Sequence, residues 1–383
     1  MEKPWKVAII KDTATPMLGL HGLHTAFRGL PGVEVVAQVD SRVENLEEKL
    51  RYTQARRHYL TCREMLARET PHIVVICSRH PDDHLPQIQA AAEKGCHIYC
   101  EKPLATTLEE ADRIVELAER HRIKIAMAHP ARHAVAFQTM KTLVEAGKIG
   151  EPLTVHGQGK CDHRGGGEDL VVLGTHILDL MIHFFGQPTH VSAEVTAEGR
   201  PVTRADRNPT VEPIGPAAGD RIFAHIGFPH GVRGIFESRK GLYDPATGHP
   251  RMGLTVIGTK GALSLRFDDI REQPLLIGPP EQGAPYEEVP LPEHRDPSGA
   301  EPLDYTLPGQ PDIPRSPMFL KSNRLAAWDL LQAIQEDRAP LASITDARTV
   351  LELIQGIYAS HLQGGRRVRL PLEDRAHPLA GGG

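Results

Sequence analysis

The chain has 383 residues, 40% of them hydrophobic, and a formal net charge of −5. That length favours two domains over one, and a mildly acidic chain without a basic tract is not expected to bind nucleic acid. No apolar run approaches the ~20 residues that a membrane helix needs, Met1-Glu2-Lys3-Pro4-Trp5 leads into a strand without room for a signal peptide, and five cysteines make no disulfide framework, so a cytoplasmic protein is expected.

The first ~130 residues alternate strand-like and helical patterns, as in a doubly wound parallel sheet. Lys6-Val7-Ala8-Ile9-Ile10 reads as the first strand and Gly22 to Gly29 as part of the helix after it. Pro31-Gly32 turns the chain into a second strand, Val33 to Val39, which ends at Asp40. His72 to Ile76 is another buried strand, followed by a helix from about Asp83 to Lys94. Then come the strand His97-Ile98-Tyr99-Cys100, a helix from Leu108 to Arg120, and the strand Ile123 to Met127.

Beyond Gly150 strands dominate: Leu153 to Gly157, Val191 to Ala197, Arg221 to Phe228 and Arg233 to Glu237. Leu254 to Ile257 and Ala262 to Leu265 form a hairpin through Gly258-Thr259-Lys260-Gly261. Few helices separate these strands, which predicts an open, mainly antiparallel sheet. Residues 272–318, rich in Pro, Gly and acids, read as a long surface excursion. Helices from about Arg324 to Glu336 and Asp346 to Gln363 close the chain.

Two places carry candidate chemistry. Glu101-Lys102-Pro103 closes the strand at Cys100, and open α/β sheets bind ligands at the carboxyl ends of their strands. Far downstream, Glu168 to Phe185 is apolar nearly all round and reads as one buried helix. Val172, His176, Asp179 and His183 form a stripe on it at helical spacing. His176 with Asp179 is a candidate acid–base pair, a structural His–Asp pair being the alternative. Gly174 weakens this helix unless something needs the space. His156, Cys161, Asp162, His163 and His176 match no standard zinc spacing, and no metal is expected.

A dinucleotide fold normally carries G-x-G-x-x-G after its first strand. Here Lys11 to Gly22 lacks the leading glycine pair; Gly19 and Gly22 are left to open a helix toward a pyrophosphate, with Lys11 as a point charge. A sheet that has lost its cofactor is the competing reading. Asp40, ending the second strand, suits ribose hydroxyls and repels a 2′-phosphate, which favours NAD. Arg42 pulls the other way, and Asp40 with Ser41 also suits a helix cap.

The chain resembles the Gfo/Idh/MocA oxidoreductases. The resemblance rests on His84 ahead of Glu101-Lys102-Pro103-Leu104, on Gly147-Lys148-Ile149-Gly150, on the helix around His176 and Asp179, on Ile257 to Gly261, and on Arg367-Val368-Arg369-Leu370-Pro371. It implies a Rossmann domain over residues 1–130. Residues 131–383 would form an α/β substrate and oligomerisation domain whose last helices pack back toward the first. Bound NAD, with NADP as the alternative, and a carbohydrate or polyol substrate follow from it. The second domain's strands should leave one sheet face insufficiently covered by helices, which predicts a homodimer or homotetramer built on that sheet.

Lys102, His176 and Asp179 are the expected catalytic residues. Lys11, Asp12, Thr13, Asp40, Ser41, Ser78, His84, Glu101, Lys102 and His129 are expected along the cofactor, and Arg132, Lys160, Asp162, His163, Asp169 and His176 along the substrate. The family's aspartate four residues before the histidine is Val172 here, so Asp169 or Asp162 is a candidate replacement. Asp179 would orient His176, and Asp169 would face substrate hydroxyls near Lys160 and His163. Two other functions compete with a dehydrogenase: a cofactor-retaining enzyme that cleaves glycosides or eliminates water through transient oxidation, and a non-catalytic dinucleotide or sugar sensor.

Overall fold

The computed structural model describes residues 4–14, 22–243, 251–267, 272–281, 285–306 and 317–380. The apolar runs of the first third become β1 (Trp5–Ile10), β2 (Val33–Val39), β3 (Arg57–Tyr59), β4 (Ile73–Ile76), β5 (His97–Cys100) and β6 (Ile125–Met127). All are parallel, in the order β3-β2-β1-β4-β5-β6. The order reverses between β1 and β4, and the crevice at their carboxyl ends is where such sheets take ligands.

Helices α1 (Leu46–Thr53), α2 (Cys62–Arg68), α3 (His84–Ala92) and α4 (Leu108–His121) connect these strands. In α4 the Thr107 side chain accepts from the Glu110 amide while the Glu110 side chain reaches back, a capping box. Leu108, Ala111, Ile114, Leu117 and Ala118 then recur at helical spacing and are buried.

The helix expected from Gly22 to Gly29 does not form; only a 3-10 turn at Leu23–Thr25 is present. Both glycines take positive φ, 79° and 66°, which confines any helix to the short stretch from Leu23 to Arg28. Leu23, Ala26 and Phe27 nevertheless enter the core. Gly19 and the rest of residues 15–21 lie outside the described residues.

After α5 (Val135–Glu145) the second domain begins with β7 (Pro152–Gln158), α6 (Gly167–Val172), α7 (Gly174–Phe185), β8 (His190–Ala197) and β9 (Arg200–Pro201). It continues with β10 (Arg221–Gly227), β11 (Arg233–Arg239), β12 (Gly253–Gly258), β13 (Ala262–Arg266), β14 (Leu275–Gly278) and β15 (Glu287–Glu288). The chain ends with α8 (Pro317–Gln335), α9 (Ile344–Leu362) and β16 (Val368–Arg369). The second sheet runs β15-β14-β13-β12-β7-β11-β10-β8-β16, with β9 beside β8. It is antiparallel throughout except for the parallel pair β7 and β11.

Two of its strands, β14 and β15, come from the segment read as a surface excursion; Leu275-Leu276-Ile277 is an apolar run hidden between prolines and glycines. Helix α7 lies directly on β7, where a Cβ on Gly157 would come within 2.3 Å of Ile177 Cγ2. The last two helices join both cores. Ala326, Ala327, Leu330 and Leu331 of α8 pack with Val7, Ile9 and Val75. From α9, Ala347 and Leu351 enter the first-domain core while Leu353 and Ile357 enter the second.

Candidate active site

The expected single helix from Glu168 to Phe185 is two helices, α6 and α7, broken at Leu173 (φ −116°, ψ −38°). Gly174 sits in the break because a Cβ there would come within 2.7 Å of the Phe236 ring. The break changes the hydrogen bonding. The His176 amide bonds to the Leu173 carbonyl rather than to Val172, and the Lys102 Nζ donates to the Val172 carbonyl at 2.6 Å. A helix end leaves carbonyls without intrahelical donors, and Lys102 takes one of them. Position 172, where a side-chain carboxylate was expected from the family pattern, thus serves Lys102 through its backbone.

Lys102 is fully buried at the carboxyl end of β5. Burial first, and then the charge of Arg79, brings its ammonium from the ordinary value near 10.5 down to about 8. Glu101 is buried beside it and accepts the Lys102 amide. His84 holds the surroundings together, its Nδ1 facing the Leu104 carbonyl at 3.1 Å and its Nε2 the Ser78 carbonyl at 2.8 Å. Ser78 Oγ in turn donates to Asp83. His84 and Ser78, expected along the cofactor, thus spend these groups tying the loop after β4 to the stretch after Lys102.

His176 is 2% exposed, stacked on Phe267 at 5.5 Å and edge-on to His129 at 5.8 Å. The expected pairing with Asp179 is not among the contacts described for either side chain. Asp179 accepts from Arg132 Nε at 2.8 Å and Nη2 at 2.7 Å, and lies 3.2 Å from His129 Nδ1. Three residues along a helix turn the two side chains about 60° apart, and Arg132 sits on the Asp179 side. Burial opposes ionisation of Asp179, but Arg132 and then His129 outweigh it and hold its carboxyl below the usual range. Arg132 also reaches the Leu341 carbonyl and Asp346 through Nη1, so this buried guanidinium is committed to the fold rather than turned toward substrate. His129, expected along the cofactor, faces Asp179 and the Thr175 hydroxyl.

Residues 19–129 match an oxidoreductase family with an NAD-binding Rossmann fold, and residues 141–370 match the C-terminal alpha/beta domain of the same family. The chain belongs to the Gfo/Idh/MocA oxidoreductase family. Myo-inositol 2-dehydrogenase of Thermotoga maritima is 26% identical over 241 residues, 62% of this chain and 68% of that protein. D-xylose 1-dehydrogenase (NADP+) of Haloarcula marismortui is 42% identical over 74 residues, 19% of this chain and only 21% of that protein. An uncharacterized oxidoreductase of Schizosaccharomyces pombe, 30% identical, is matched over 41% of its length, against 37% of this chain. A crystal structure of levoglucosan dehydrogenase with NADH and levoglucosan superposes with a TM-score of 0.71 at 20% identity, covering 96% of this chain and all of that one. At that identity the likeness is one of fold.

At the ribose end of this Gfo/Idh/MocA crevice the structure revises the expectation for Asp40. Its carboxylate is fully buried and accepts from the Thr13 amide and hydroxyl, the Arg42 amide and Lys49 Nζ. Burial alone would raise its proton affinity; the hydrogen bonds of Lys49, Arg42 and Thr13 instead hold it low. Asp40 is thus filled from within, because Lys49 on α1 reaches back across the loop. The more open acceptors there are Asp12 and Ser41, with Ser41 Oγ donating to Asp12 at 2.7 Å. Lys11 is half-buried, and the loss of solvent around it lowers its proton affinity.

Asp169 is also redirected. It is fully buried, binds the amides of Lys160 and Cys161 and the Ser238 hydroxyl, and so fixes the loop between β7 and α6 rather than facing hydroxyls. Once the helix breaks at Leu173, Asp169 no longer shares a face with His176. Asp162 is paired with Arg164, and His163 points to solvent with its side chain 71% exposed. Sequence reasoning passed over Arg79, Arg164, Lys49 and Glu212. Arg79 stands directly after the strand β4 and its Cys77-Ser78 extension, a ligand-facing position in this fold, which was the available signal. Glu212 lies in an irregular stretch with no signal of its own.

Proposed function

We propose that this protein is an NAD-dependent dehydrogenase of a sugar, polyol or sugar derivative. The observation that carries the reading is the convergence of Lys102 and His176 on one helix break: Lys102 Nζ binds the carbonyl of Val172, four residues ahead of His176. The crevice fits a dinucleotide, with Asp12 and Ser41 at the ribose end below β1 and β2, and Lys102 at the reacting end below β5. When bound, the nicotinamide supplies the hydride acceptor.

The chain's own residues do the rest. Lys102 hydrogen-bonds the substrate hydroxyl and steadies the negative charge that develops on its oxygen, worth most in a site that excludes water. The imidazole of His176 takes the hydroxyl proton. Phe267 and His129 hold that ring in place, and Asp179 acts at one remove by fixing His129 and Arg132. Cofactor reduction in proportion to an added polyol is the expected result; no reduction across a panel of sugars and polyols, with cofactor bound, would sink the reading.

Calorimetric titration is expected to show tighter binding of NAD than of NADP, because the Asp12 carboxylate beside Ser41 opposes a 2′-phosphate. A clear NADP preference would assign the choice to Arg42 and Lys49.

The reading places the enzyme in the cytoplasm as a homodimer or homotetramer. Among the described residues no helix is long and apolar enough to cross a membrane. One face of the second sheet carries helices α7 and α9, while the other presents Phe223 at 48% exposure. Light scattering is expected to give a two-fold assembly, which Phe223→Glu shifts toward monomer. A monomeric wild type at micromolar concentration would contradict this.

A further inference from the structure

Lys102 and His176 are 0% and 2% exposed, so a substrate cannot reach them in this conformation. Chemistry at this pair needs an opening. Two of the elements that enclose Lys102 are packed into the cores: the end of β5 through Cys100 and Leu104, and the break between α6 and α7 through Val172 and Leu173. A third neighbour is built differently. Residues 209–216, between β9 and β10 of the second domain, form an irregular loop. Pro209, Val211, Pro213 and Gly215 are exposed, whereas Glu212 and Ile214 between them are 1% and 4% exposed. That alternation describes a cover one chain thick, wet outside and dry inside.

The loop is pinned at its base and latched at its tip. At the base Arg207 and Ala218 form an antiparallel bridge, and the Asn208 amide donates to the Ala217 carbonyl at 2.9 Å. The Tyr358 hydroxyl accepts from the Ala218 amide and donates to the Ala218 carbonyl, both at 3.2 Å. At the tip Glu212 crosses to the first domain, where Arg79 Nη2 donates to both its oxygens at 2.5 and 2.6 Å. Among the described residues this pair is the polar contact that joins the tip to the first domain. The tip's other ties come from its own domain: Arg164 Nη1 at a longer 3.4 Å, and Glu168 Oε1, which accepts the amides of Val211 and Glu212. Glu212 is near enough to Lys102 to raise its proton affinity, so the tip lies over the reacting end of the crevice.

We propose that residues 209–216 are a lid over Lys102, latched shut by Glu212 on Arg79, which swings on its pinned base to exchange substrate. The proposal rests on the dehydrogenase reading and adds the step that gates it. A lone buried ion pair suits a latch. Shut, its two charges are dry and depend on each other; open, both recover the hydration that burial took from them. The shut lid keeps water from the substrate oxygen while negative charge develops there, and loops with this duty close in microseconds to milliseconds. Hinging falls at Asn208-Pro209 and Gly215-Pro216, where the irregular loop meets its anchored base.

The test uses the full-length protein carrying Thr106→Cys with Gly215→Cys. A Cβ on Gly215 would lie 3.4 Å from Thr106 Cβ, close to the separation of about 3.5–4.5 Å that a disulfide spans, so oxidation is expected to lock the lid. Gly215 has φ +83°, and strain from cysteine there is common to the oxidised and reduced forms. Access is read on Lys102 itself, by labelling with trinitrobenzenesulfonate and peptide mass spectrometry, which needs neither cofactor nor substrate. Labelling of Lys102 is expected to be at least about tenfold slower in the oxidised form than in the reduced one. Glu212→Gln is expected to raise it about tenfold and to speed amide exchange in residues 209–216, with β10 exchanging as in wild type. Removal of Glu212 also leaves more of Lys102 as free amine, so the lock is added to Glu212→Gln, and the excess labelling should vanish on oxidation.

Labelling of Lys102 that ignores the lock overturns the lid. So does a cysteine pair that will not crosslink, or Glu212→Gln speeding exchange throughout β10 and β11. With a polyol that is turned over, catalysis should stop on oxidation and return with dithiothreitol; turnover that continues in the locked form overturns the lid and leaves the dehydrogenase standing. Labelling that follows the lock, in a protein that reduces no cofactor with any polyol, supports the lid and removes the dehydrogenase.

Discussion

Lys102→Met is expected to unfold at higher denaturant than wild type and to turn over substrate at least about a hundredfold more slowly. The stability gain follows from the cost of keeping a charge in the core. Burial and Arg79 lower the Lys102 ammonium from near 10.5 to about 8, and a shift of that size makes the charged form cost about 3 kcal/mol at neutral pH. Methionine fills a similar volume without the charge. Against this, the Val172 carbonyl loses its donor, a loss of about 1–2 kcal/mol, so the net gain at pH 7 is about 1–2 kcal/mol.

The pH dependence gives a sign to check. The lysine has a folded value below its unfolded one, so its penalty is full below pH 8, where both states are charged. It fades between about 8 and 10.5, where the unfolded chain binds the extra proton. Wild type should therefore close the gap on Lys102→Met as pH rises through that window. Denaturant melts at pH 7 and pH 10 measure it. A variant that is less stable than wild type at pH 7 would show that Lys102 is a net structural prop, and unchanged turnover would remove it from the chemistry.

Much of the first domain was legible because its physics is local. Buried parallel strands such as Ile73–Ile76 read as short continuous apolar runs, and α4 announces itself by Thr107, Glu110 and a regular apolar stripe. Lys102 was legible for the same reason: its position after β5 places it on the ligand-binding edge without any tertiary information. What could not be read was direction. Periodicity put Val172, His176 and Asp179 on one helical stripe, but the Phe236 ring against Gly174 and the pull of Lys102 on the Val172 carbonyl break the helix. Asp40 was correctly placed at the end of β2, yet Lys49, on α1, turns its carboxylate inward. Glu212 meets Arg79 across 133 residues of sequence, and no local pattern encodes such a contact.

Asp179→Asn is expected to lower stability by about 3–5 kcal/mol, because it strands a buried cation. Arg132 is 2% exposed and gives two of its nitrogens to the Asp179 carboxylate. Its remaining charged partner, Asp346, is near the surface and engages Nη1 alone. A neutral amide keeps the shape but not the charge, and it points an NH2 group at a guanidinium or at His129. Any loss of rate should then follow from loosening of His129 beside His176, and should recover in part when folding is favoured by a stabilising osmolyte.

The carboxyl of Asp179 is held below its usual value, so its contribution is present above about pH 4 and is lost as pH falls through the depressed folded value. The deficit of Asp179→Asn should accordingly be flat from pH 5 to 8 and narrow only in acid. His176→Asn makes the contrast, with turnover lost and the melt little changed. If Asp179→Asn instead melts like wild type while the rate falls and its pH profile moves, Asp179 orients the catalytic imidazole after all, and the Arg132 pair is incidental.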